Sequence, residues 1–290
     1  MPDPTDIIPD DITPKPGIYF DVPFTDYIRW KAVNGSMLVP YTKSAKRARY
    51  EMLNPRFATD AQELGEATHA CILEPDRYDR EYVTMPEFEG HPNSNAHKAE
   101  KQRWMLDNAG KIAVANDDQS KIKAMLAEVR ANADAAEILY GTKGKNEASF
   151  IWLDKETGLL CKGRVDRLCN WRWPAIVDVK TTRAIGVGIR EFPSEVAKFK
   201  YHMKMAMYRE GLNVLAPAMR GVVIIAVQNE GEFDVVVHEM DMESLAHGEA
   251  MFRRLLFTHK SCLDSGKWPG VCPEVNLLRI PSWAEETMEV

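Results

Sequence analysis

The sequence of 290 residues lacks the features that mark several large protein classes. It has five cysteines, an odd number, and no two of them form a Cys-x-x-Cys pair. This argues against a zinc ribbon, an iron–sulfur cluster or a disulfide scaffold, and it favours reduced thiols in a cytoplasm. No apolar run approaches the roughly 20 residues that span a bilayer, and the acidic, proline-containing start is unlike a signal peptide.

An excess of positive charge is also absent. The sequence has 37 Lys and Arg residues against 43 Asp and Glu residues, which gives a formal net charge of −6. This balance does not indicate a nucleic-acid-binding protein. It does not exclude one either, because a local basic stripe or a bound metal ion supplies positive charge where it is needed.

The sequence does contain a clear change of periodicity near residue 147. Before it, patterns with the period of a helix dominate, and after it alternating or continuous apolar runs predict strands. The predicted helices cover 42–53, 60–73, 96–108, 117–139, 193–212 and 241–263. The predicted strands cover 17–20, 147–153, 160–169, 175–180, 221–227 and 233–240. A break is expected near Asn132, and a long loop is expected over 75–97.

The helix predicted over 60–73 has recognisable ends. Asp60 is a favourable N-cap, and Glu63 follows three residues later, as in a capping box. Glu74 and Pro75 close the helix, because proline cannot continue one.

The order of elements predicts an α/β fold of the α+β mixed-sheet kind, flanked by helices. It contains a three-strand antiparallel meander, a crossover helix and further strands. The 180–221 connection is long enough for a right-handed crossover to a parallel strand. We expect a flexible arm at 1–16 and one domain over 17–290, with a helical part at about 17–140 and a core at about 141–270.

Asp178 is unusual because it lies in a run that is otherwise typical of a core strand, Ala175 to Val179. Lys180 follows two residues later and therefore projects from the same face. An unpaired carboxylate out of water costs several kcal/mol. The sequence therefore indicates cation binding or chemistry at this strand.

Two turns bring further acids beside Asp178. If the second turn of the meander is centred on Arg172, Asp166 lies opposite Asp178. If the first turn is centred between 156 and 157, Glu147 lies opposite Asp166. Directly opposed residues share a face of the sheet, with Cβ atoms about 5 Å apart. The sequence thus predicts three carboxylates in a row across three strands.

Three adjacent carboxylates repel one another unless a cation lies between them. Carboxylate oxygens suit Mg²⁺, or Mn²⁺ in its place. Lys180 beside such an ion can orient or deprotonate a water, or stabilise charge on a phosphate. Together these groups fit metal-assisted phosphodiester hydrolysis. The alternative is a structural ion pair, either Asp178 with Lys180 or Asp166 with Arg164.

Six motifs between about 60 and 270 together resemble the PD-(D/E)XK nuclease superfamily, and within it the RecE-type phage and prophage exonucleases. The motifs are GEATH (65–69), EASFIW (147–152), GRVDR (163–167), DVKTT (178–182), YHMKMAMYREG (201–211) and GKWP (266–269). The combination is specific.

The resemblance implies a restriction-endonuclease-like core and Mg²⁺-dependent 5′→3′ degradation of one strand of linear double-stranded DNA, in phage recombination in the bacterial host cytoplasm. It also implies a homo-oligomeric ring, a trimer or tetramer, and a single-strand annealing protein of the RecT type as partner. An endonuclease or repair nuclease with the same core is one alternative, and a DNA-binding assembly subunit that does not cleave is another.

The resemblance also implies roles for individual residues. The metal ligands it implies are Asp166, Asp178, His69 and the main-chain carbonyl of Val179. Glu147 would support the metal or the water, and Lys180 would position or activate the attacking water.

Five further residues are candidates for contact with DNA. They are Arg164, Lys204, Tyr208, Lys46 and Arg47. Lys46 and Arg47 belong to a basic run that could grip a 5′-phosphate, or could simply be a solvated helix face. Tyr208 could form a wall of the site or pack in the core. Lys204 stands where the family usually has Gln, which favours the assembly-subunit alternative, although a lysine there could still contact a phosphate or a carboxylate.

Overall fold

The computed structural model of this chain describes residues 13–55, 57, 59–272 and 274–281. Most of the arm predicted over 1–16 therefore lies outside the described residues. Within the described part of the chain, none of the helices combines the length and the apolar composition that a membrane crossing requires.

Most of the described elements in the first half of the chain are helices, and most of the strands of the large sheet are in the second half. The strands are β1 Gly17–Tyr19, β2 Tyr82–Met85, β3 Ile112–Ala115, β4 Gly144–Leu153, β5 Leu160–Asn170, β6 Pro174–Thr182, β7 Gly221–Gln228 and β8 Val235–Glu239. The helices are α1 Phe24–Arg29, α2 Gly35–Leu38, α3 Ala45–Leu53, α4 Asp60–Leu73, α5 Pro75–Glu81, α6 Asn95–Asp107, α7 Asn116–Ala131, α8 Ala133–Ala136, α9 Phe192–Lys198, α10 Tyr201–Leu215 and α11 Met242–Ser265.

Six of these strands form one mixed sheet in the order β1-β4-β5-β6-β7-β8, and β2 and β3 form a small parallel pair. β4, β5 and β6 make the antiparallel meander that the sequence predicts. β6 and β7 are parallel, as expected for strands joined by a helical crossover. β8 adds an antiparallel edge. The predicted α/β fold with a mixed sheet is confirmed.

Helices cover both faces of the large sheet. On one face α10 and α11 pack on an apolar layer that includes Phe150, Trp152 and Met203. On the other face α4 and α7 pack on a second layer that includes Ile122 and Val177. The strands between the layers are buried on both sides, which explains why β6 and β7 read as continuous apolar runs.

The predicted helix over 60–73 has the bounds of α4, but its cap differs. Thr59, not Asp60, is the N-cap, and Gln62, not Glu63, completes the capping box. Threonine and aspartate both cap helices well, so the sequence pattern fits two registers one residue apart.

The loop predicted over 75–97 is wrong, because α5 and β2 occupy its first half. Pro75 is at the start of α5, where the missing N–H costs nothing. Tyr78 and Tyr82 stack with ring centroids 4.8 Å apart and bury this short segment against the core. Tertiary burial, rather than local periodicity, makes these residues ordered.

Two long predicted helices are divided. The helix over 117–139 breaks at Asn132, as expected, and the Oδ1 atom of Asn132 accepts a hydrogen bond from the Ala135 N–H to start α8. The crossover helix over 193–212 is divided at Lys200, which has φ 59° and lies in the left-handed region. That turn redirects the chain so that α10 begins beside the end of β6.

Candidate active site

The sheet forks at two acids. β5 is paired with β4 along most of its length, but it pairs with β6 only as far as Arg167 and Val177. Beyond that pair, β6 continues beside β7 as far as Thr182. The next opposed residues are Asp166 and Asp178, which therefore lie where the two strands separate. This agrees with the register that the second turn predicts.

Side chains replace the ladder hydrogen bonds at the fork. The Oδ2 atom of Asp166 accepts a hydrogen bond from the Val179 N–H at 2.7 Å. The Nζ atom of Lys180 donates to the Val179 carbonyl at 3.0 Å. The fork therefore fixes an acid and an ammonium group beside a main-chain carbonyl, which is itself one of the predicted metal ligands.

Glu147 enters the site through a local distortion of β4. The ladder to β5 pairs Asn146 with Arg167 and Ala148 with Val165, and it skips Glu147. The register still places Glu147 opposite Asp166, as the first turn predicts. Glu147 has φ 51°, in the left-handed region, which costs a residue with a side chain about 1–2 kcal/mol. Strain of this kind is commonly found at functional sites.

His69 reaches the fork from α4, the helix that packs on the sheet face opposite α10 and α11. Its Nδ1 atom is 3.5 Å from the Oδ2 atom of Asp166. One ligand atom each from His69, Glu147 and Asp166 lie within 4.8 Å of one another, a spacing that can hold a metal ion. One turn before His69, Gly65 faces the Thr181 hydroxyl, where α4 crosses β6. The Gly-x-x-x-His spacing therefore corresponds to one helical turn between the sheet contact and the predicted ligand His69.

Asp178 is turned towards Lys180 rather than towards the other ligand atoms. Its Oδ2 atom is 2.6 Å from the Lys180 Nζ atom, whereas the Asp166 Oδ2 atom is 4.0 Å from it. The 2.6 Å contact lacks hydrogen-bond alignment, so Asp178 Oδ2 is buried without a hydrogen-bond partner among the described residues. We call His69, Glu147, Asp166, Asp178 and Lys180 the fork cluster.

Burial and like charge set the electrostatics of the fork cluster. Burial raises the pKa of Asp178, and the charge of Asp166 adds to this effect, while the Lys180 ammonium opposes it. Burial and Asp166 also raise the pKa of Glu147, against the effect of Arg164. Burial would lower the pKa of Lys180, but Asp178 and Asp166 outweigh it and raise that pKa. The acids are held closer than their charges favour, a condition that a bound cation relieves.

Arg164 is tied to Glu147, not to Asp166 as the structural alternative expected. Its Nε atom donates to Glu147 Oε2 at 2.5 Å, and its Nη1 atom donates to the Val22 carbonyl at 2.7 Å and to the Ser149 hydroxyl at 3.1 Å. Only 10% of this side chain is exposed. Arg164 therefore holds the Glu147 carboxylate in place, and its predicted contact with DNA stays a prediction.

Tyr208 both packs and faces the cluster. Its ring meets Phe150 edge-on at 5.8 Å, directly over Gly163, where a Cβ atom would lie 2.8 Å from the Tyr208 ring. Only glycine fits at 163, which explains the first residue of the GRVDR motif. Burial raises the pKa of Tyr208, and the charges of Asp178 and Asp166 add to this effect.

Lys46 and Arg47 lie on α3, away from the fork. Arg47 pairs with Glu51 through an Nε–Oε1 contact of 2.6 Å and lies over the ring of Tyr50. The backbone N–H of Lys46 donates to the Pro269 carbonyl, which joins α3 to the GKWP segment, and its side chain is exposed. No described contact joins either residue to the fork cluster.

Sequence reasoning missed Tyr201, the first residue of α10. The Nζ atoms of Lys180 and Lys204 lie 5.6 and 5.7 Å from its ring centroid, so two ammonium groups share one ring. Tyr201 is the first residue of the YHMKMAMYREG motif, but the sequence analysis selected Tyr208, the second tyrosine of that motif, as the candidate. Only the turn at Lys200 shows that the first residue of the helix reaches Lys180.

A family model matches residues 35–281 of this chain, and its description is a PDDEXK-like domain of unknown function (DUF3799). The match covers most of the sequence and includes the entire fork cluster. The chain belongs to this family. The expected kinship with the PD-(D/E)XK nuclease superfamily is thereby confirmed, and membership of this PDDEXK-like family supports a nuclease.

One solved structure supports the fold. A crystal structure from Eubacterium rectale, described as a candidate exonuclease, is similar with a TM-score of 0.52 and 14% sequence identity, and the match covers 90% of this chain and 94% of that chain. The structure of SSO0001 is less similar, with a TM-score of 0.30 and 12% identity over 81% of this chain and 84% of that chain. A comparison with curated proteins finds no match.

Proposed function

We propose that this PDDEXK-like protein is a divalent-metal-dependent exodeoxyribonuclease that hydrolyses phosphodiester bonds in one strand of linear double-stranded DNA, in the 5′→3′ direction. The observation that carries the proposal is the fork cluster. It brings three carboxylates, a histidine and a lysine to one break in the sheet.

The donor set of the fork cluster fits a divalent cation. Carboxylate oxygens, one imidazole nitrogen and the Val179 carbonyl are ligand types that Mg²⁺ and Mn²⁺ accept. Apart from its 2.6 Å contact with the Lys180 ammonium, the buried Asp178 Oδ2 atom has no hydrogen-bond partner among the described residues, and the pKa values of Asp178 and Glu147 are raised; a bound cation would relieve both conditions. When bound, such a cation neutralises the acids and polarises the phosphate oxygen that it touches.

The protein's own residues prepare the site before DNA arrives. The Val179 N–H fixes one oxygen of Asp166, and Arg164 fixes one oxygen of Glu147. The Val179 carbonyl and Asp178 hold the Lys180 ammonium in a fixed position. From there it can stabilise negative charge on a phosphate or orient a water. Residues positioned in advance lose little free energy to reorganisation during the reaction.

The finer parts of the proposal rest on the resemblance to RecE-type exonucleases. They are action on linear duplex ends, polarity, a ring of three or four subunits, cooperation with a RecT-type annealing protein, and phage recombination in the host cytoplasm. Lys46 and Arg47 are proposed to contact the 5′-phosphorylated end. In a ring they would act on DNA that passes between subunits.

A cleavage assay on matched substrates tests the function. The full-length protein is incubated with linear and with closed circular duplex DNA, in Mg²⁺ and in EDTA. We expect progressive loss of linear DNA only, and no loss in EDTA or with Lys180→Ala or Asp166→Asn. Asp134→Asn, at an exposed acid that pairs with Arg172 and has no described contact with the cluster, serves as the matched control and should cleave normally.

Other outcomes decide against this function in identifiable ways. Cutting of closed circles would favour an endonuclease. DNA binding without nucleotide release in any divalent cation would favour a non-cleaving subunit. Release from 3′-labelled ends before 5′-labelled ends would contradict the proposed polarity.

A further inference from the structure

The chain before residue 35 crosses one face of the sheet beside the fork cluster. β1 pairs with β4 on the side away from β5, α1 follows, and Val33 then forms a parallel bridge with Cys161 on β5. We call residues 17–33 the strap. The family match begins at residue 35 and does not include the strap.

The end of the strap occupies the edge of β5 that β6 leaves at the fork. β6 pairs with β5 only from Arg167 onwards, so the earlier part of that edge needs other partners. The Val33 N–H donates to the Leu160 carbonyl at 2.9 Å, and the Lys162 N–H donates to the Val33 carbonyl at 2.7 Å. The strap therefore begins on one side of the β4–β5 pair and ends on the other, beside the fork.

The strap and the acids of the site share a row of side chains on this face. Lys162, Arg164 and Asp166 are two residues apart along β5 and therefore point to the same face. The ladder to β4 places Ser149 opposite Arg164, and Glu147 opposite Asp166. Side chains that hold the strap thus lie next in line to side chains of the fork cluster.

Lys162 holds the C-terminal end of α1. Its Nζ atom donates to the carbonyls of Tyr27, Ile28 and Trp30 at 2.9, 3.1 and 2.7 Å, and it lies 4.8 Å from the centre of the Tyr27 ring. These bonds use all three donors of the ammonium. Asp178 has a buried oxygen that accepts no hydrogen bond from the described residues, whereas the buried charge of Lys162 is fully hydrogen-bonded. Lys162 therefore holds the strap rather than a ligand.

The N-terminal end of the same helix holds Arg164. The Val22 carbonyl, just before α1, accepts a hydrogen bond from the Arg164 Nη1 atom at 2.7 Å, and the Phe24 ring centre lies 5.9 Å from the guanidinium carbon. The Arg164 Nε atom in turn donates to Glu147 Oε2 at 2.5 Å. Because α1 has six residues and is only about 9 Å long, a shift at its Lys162 end is carried to Arg164.

We propose that Lys162 is a positioning residue for metal binding: it fixes α1, α1 fixes Arg164, and Arg164 holds the Glu147 carboxylate at the metal site. This inference rests on the proposed function and names the segment that sets the metal affinity of its site. Glu147 has φ 51°, and a strained backbone of this kind persists only when its surroundings hold it. Removing a residue that orients a metal ligand typically weakens metal binding by about 10–100-fold.

Mn²⁺ binding to the full-length protein without DNA tests this separately from cleavage. The electron paramagnetic resonance signal of free Mn²⁺ is followed during a titration. Lys162→Met should weaken Mn²⁺ binding about 10-fold. Lys31→Met, at an exposed lysine of the strap, is the matched control and should bind Mn²⁺ as the wild type does.

Two further variants separate positioning from stability. Arg253→Met removes the partner of Asp154 just past the other end of β4, and should bind Mn²⁺ normally at a temperature where it is native. In Glu147→Gln the carboxylate is absent, so adding Lys162→Met should change the remaining Mn²⁺ affinity by less than about twofold. A general loosening of the site would instead weaken Mn²⁺ binding by the same factor with and without Glu147.

A second route to the same effect leaves Lys162 unchanged, and it decides the question if Lys162→Met does not fold. Thr25 is exposed on α1, where glycine loosens the helix. Thr25→Gly should weaken Mn²⁺ binding about threefold, because α1 connects Lys162 to Arg164. Ala127→Gly, at an exposed position of α7, is the matched control and should bind Mn²⁺ normally.

Three outcomes overturn the inference while the proposed function stands. Mn²⁺ affinities of Lys162→Met and Thr25→Gly equal to those of their controls would show that the strap is only structural. An equal loss of affinity in Arg253→Met would show that lower stability is the cause. A loss of the same size in the Glu147→Gln background would show that Lys162 does not act through Glu147. If the wild-type protein neither binds Mn²⁺ nor cuts DNA, the proposed function itself fails, and the inference fails with it.

Discussion

Two clusters of buried acids lie on β4, and they are built in opposite ways. The fork cluster is at the start of the strand. Just past its end, Asp154 contacts Thr157 and Arg253, and Arg253 also contacts Glu210; we call these four residues the Arg253 cluster. Asp154 and Asp178 are equally buried, with 3% and 6% of their side chains exposed.

The difference lies in the partners of the two aspartates. Burial would raise the pKa of Asp154, but hydrogen bonds from Thr157 and Arg253 outweigh burial, and that pKa is lowered. The Thr157 hydroxyl donates to Asp154 at 2.6 Å, and its N–H donates at 2.9 Å. Asp178 has the Lys180 ammonium 2.6 Å from its buried Oδ2 atom, but that atom accepts no hydrogen bond from the described residues, and the pKa of Asp178 is raised. The comparison teaches that burial alone does not identify a functional site. A buried acid whose oxygens are hydrogen-bonded is typical of a structural role, and a buried acid that lacks hydrogen bonds is the candidate for ligand binding.

The same substitution in both clusters gives the largest contrast. Asp178→Asn should reduce cleavage by about 10³-fold or more, because the proposed function places this acid in the catalytic machinery. In EDTA it should raise the free energy of unfolding by about 1 kcal/mol, because it removes a repelling charge. Asp154→Asn should instead lower that free energy by about 2 kcal/mol, because the carboxylate that holds Thr157 and Arg253 is lost.

Activity per folded molecule and urea unfolding in EDTA measure both effects. Mg²⁺ should raise the melting temperature of the wild-type protein and of Asp154→Asn, but much less that of Asp178→Asn. Equal destabilisation by the two substitutions would contradict the comparison.

Arg253 should be the most important single side chain for stability in its cluster. It contacts both Asp154 and Glu210, and 22% of it is exposed. Arg253→Met should lower the free energy of unfolding by about 3 kcal/mol, because it leaves Asp154 buried without its cation. Arg254→Met, at the exposed neighbouring position, is the matched control and should change it by less than about 0.5 kcal/mol.

Cleavage by folded Arg253→Met should equal that of the wild type, measured at a temperature where both are native. A specific loss of cleavage would mean that the two clusters are coupled through β4.

The two clusters should respond to pH with opposite signs in metal-free protein. The pKa values of Asp178 and Glu147 are raised by folding, so the folded state binds more protons, and their contribution to stability increases as the pH falls from neutral towards about 4. The pKa of Asp154 is lowered by folding, so its contribution is complete above about pH 4 and is lost as the pH falls below that value.

Urea unfolding between pH 3 and 7 in EDTA checks this sign. The advantage of Asp178→Asn over the wild type should shrink as the pH falls from 7 to about 4. The deficit of Asp154→Asn should shrink only below about pH 4. A constant difference at all pH values would refute the assignment for the variant concerned.

The smallest expected effect concerns the backbone at Glu147. Because its φ is 51°, glycine should be more stable than alanine at this position by about 1 kcal/mol. At Glu156, which precedes Thr157 in the turn and has no positive φ, glycine should not be the more stable residue. Thermal unfolding of the four variants compares them. An alanine advantage at both positions would show that Glu147 adopts another conformation in solution.

Local patterns in the sequence determined a good part of this site. Alternation of side chains along strands and the lengths of two turns were enough to align Glu147, Asp166 and Asp178, because the register of a meander depends only on neighbouring residues. Burial of an acid within an apolar run singled out Asp178 for the same local reason. The helix over 60–73, with His69 in its second half, was readable from its periodicity and from the proline that follows it.

Only the tertiary structure decided what these residues contact. The fork exists because β6 stops pairing with β5 and continues beside β7. β7 is far from β6 in sequence, so no local sequence pattern predicts where this change of partner occurs. The sequence also contained no signal for the left-handed backbone at Glu147 or for its contact with Arg164. The shared approach of Lys180 and Lys204 to the Tyr201 ring depends on the turn at Lys200. Contacts between side chains of different elements depend on packing in three dimensions. The sequence was therefore enough to identify the acids, but only the fold shows which of them are available to bind a ligand.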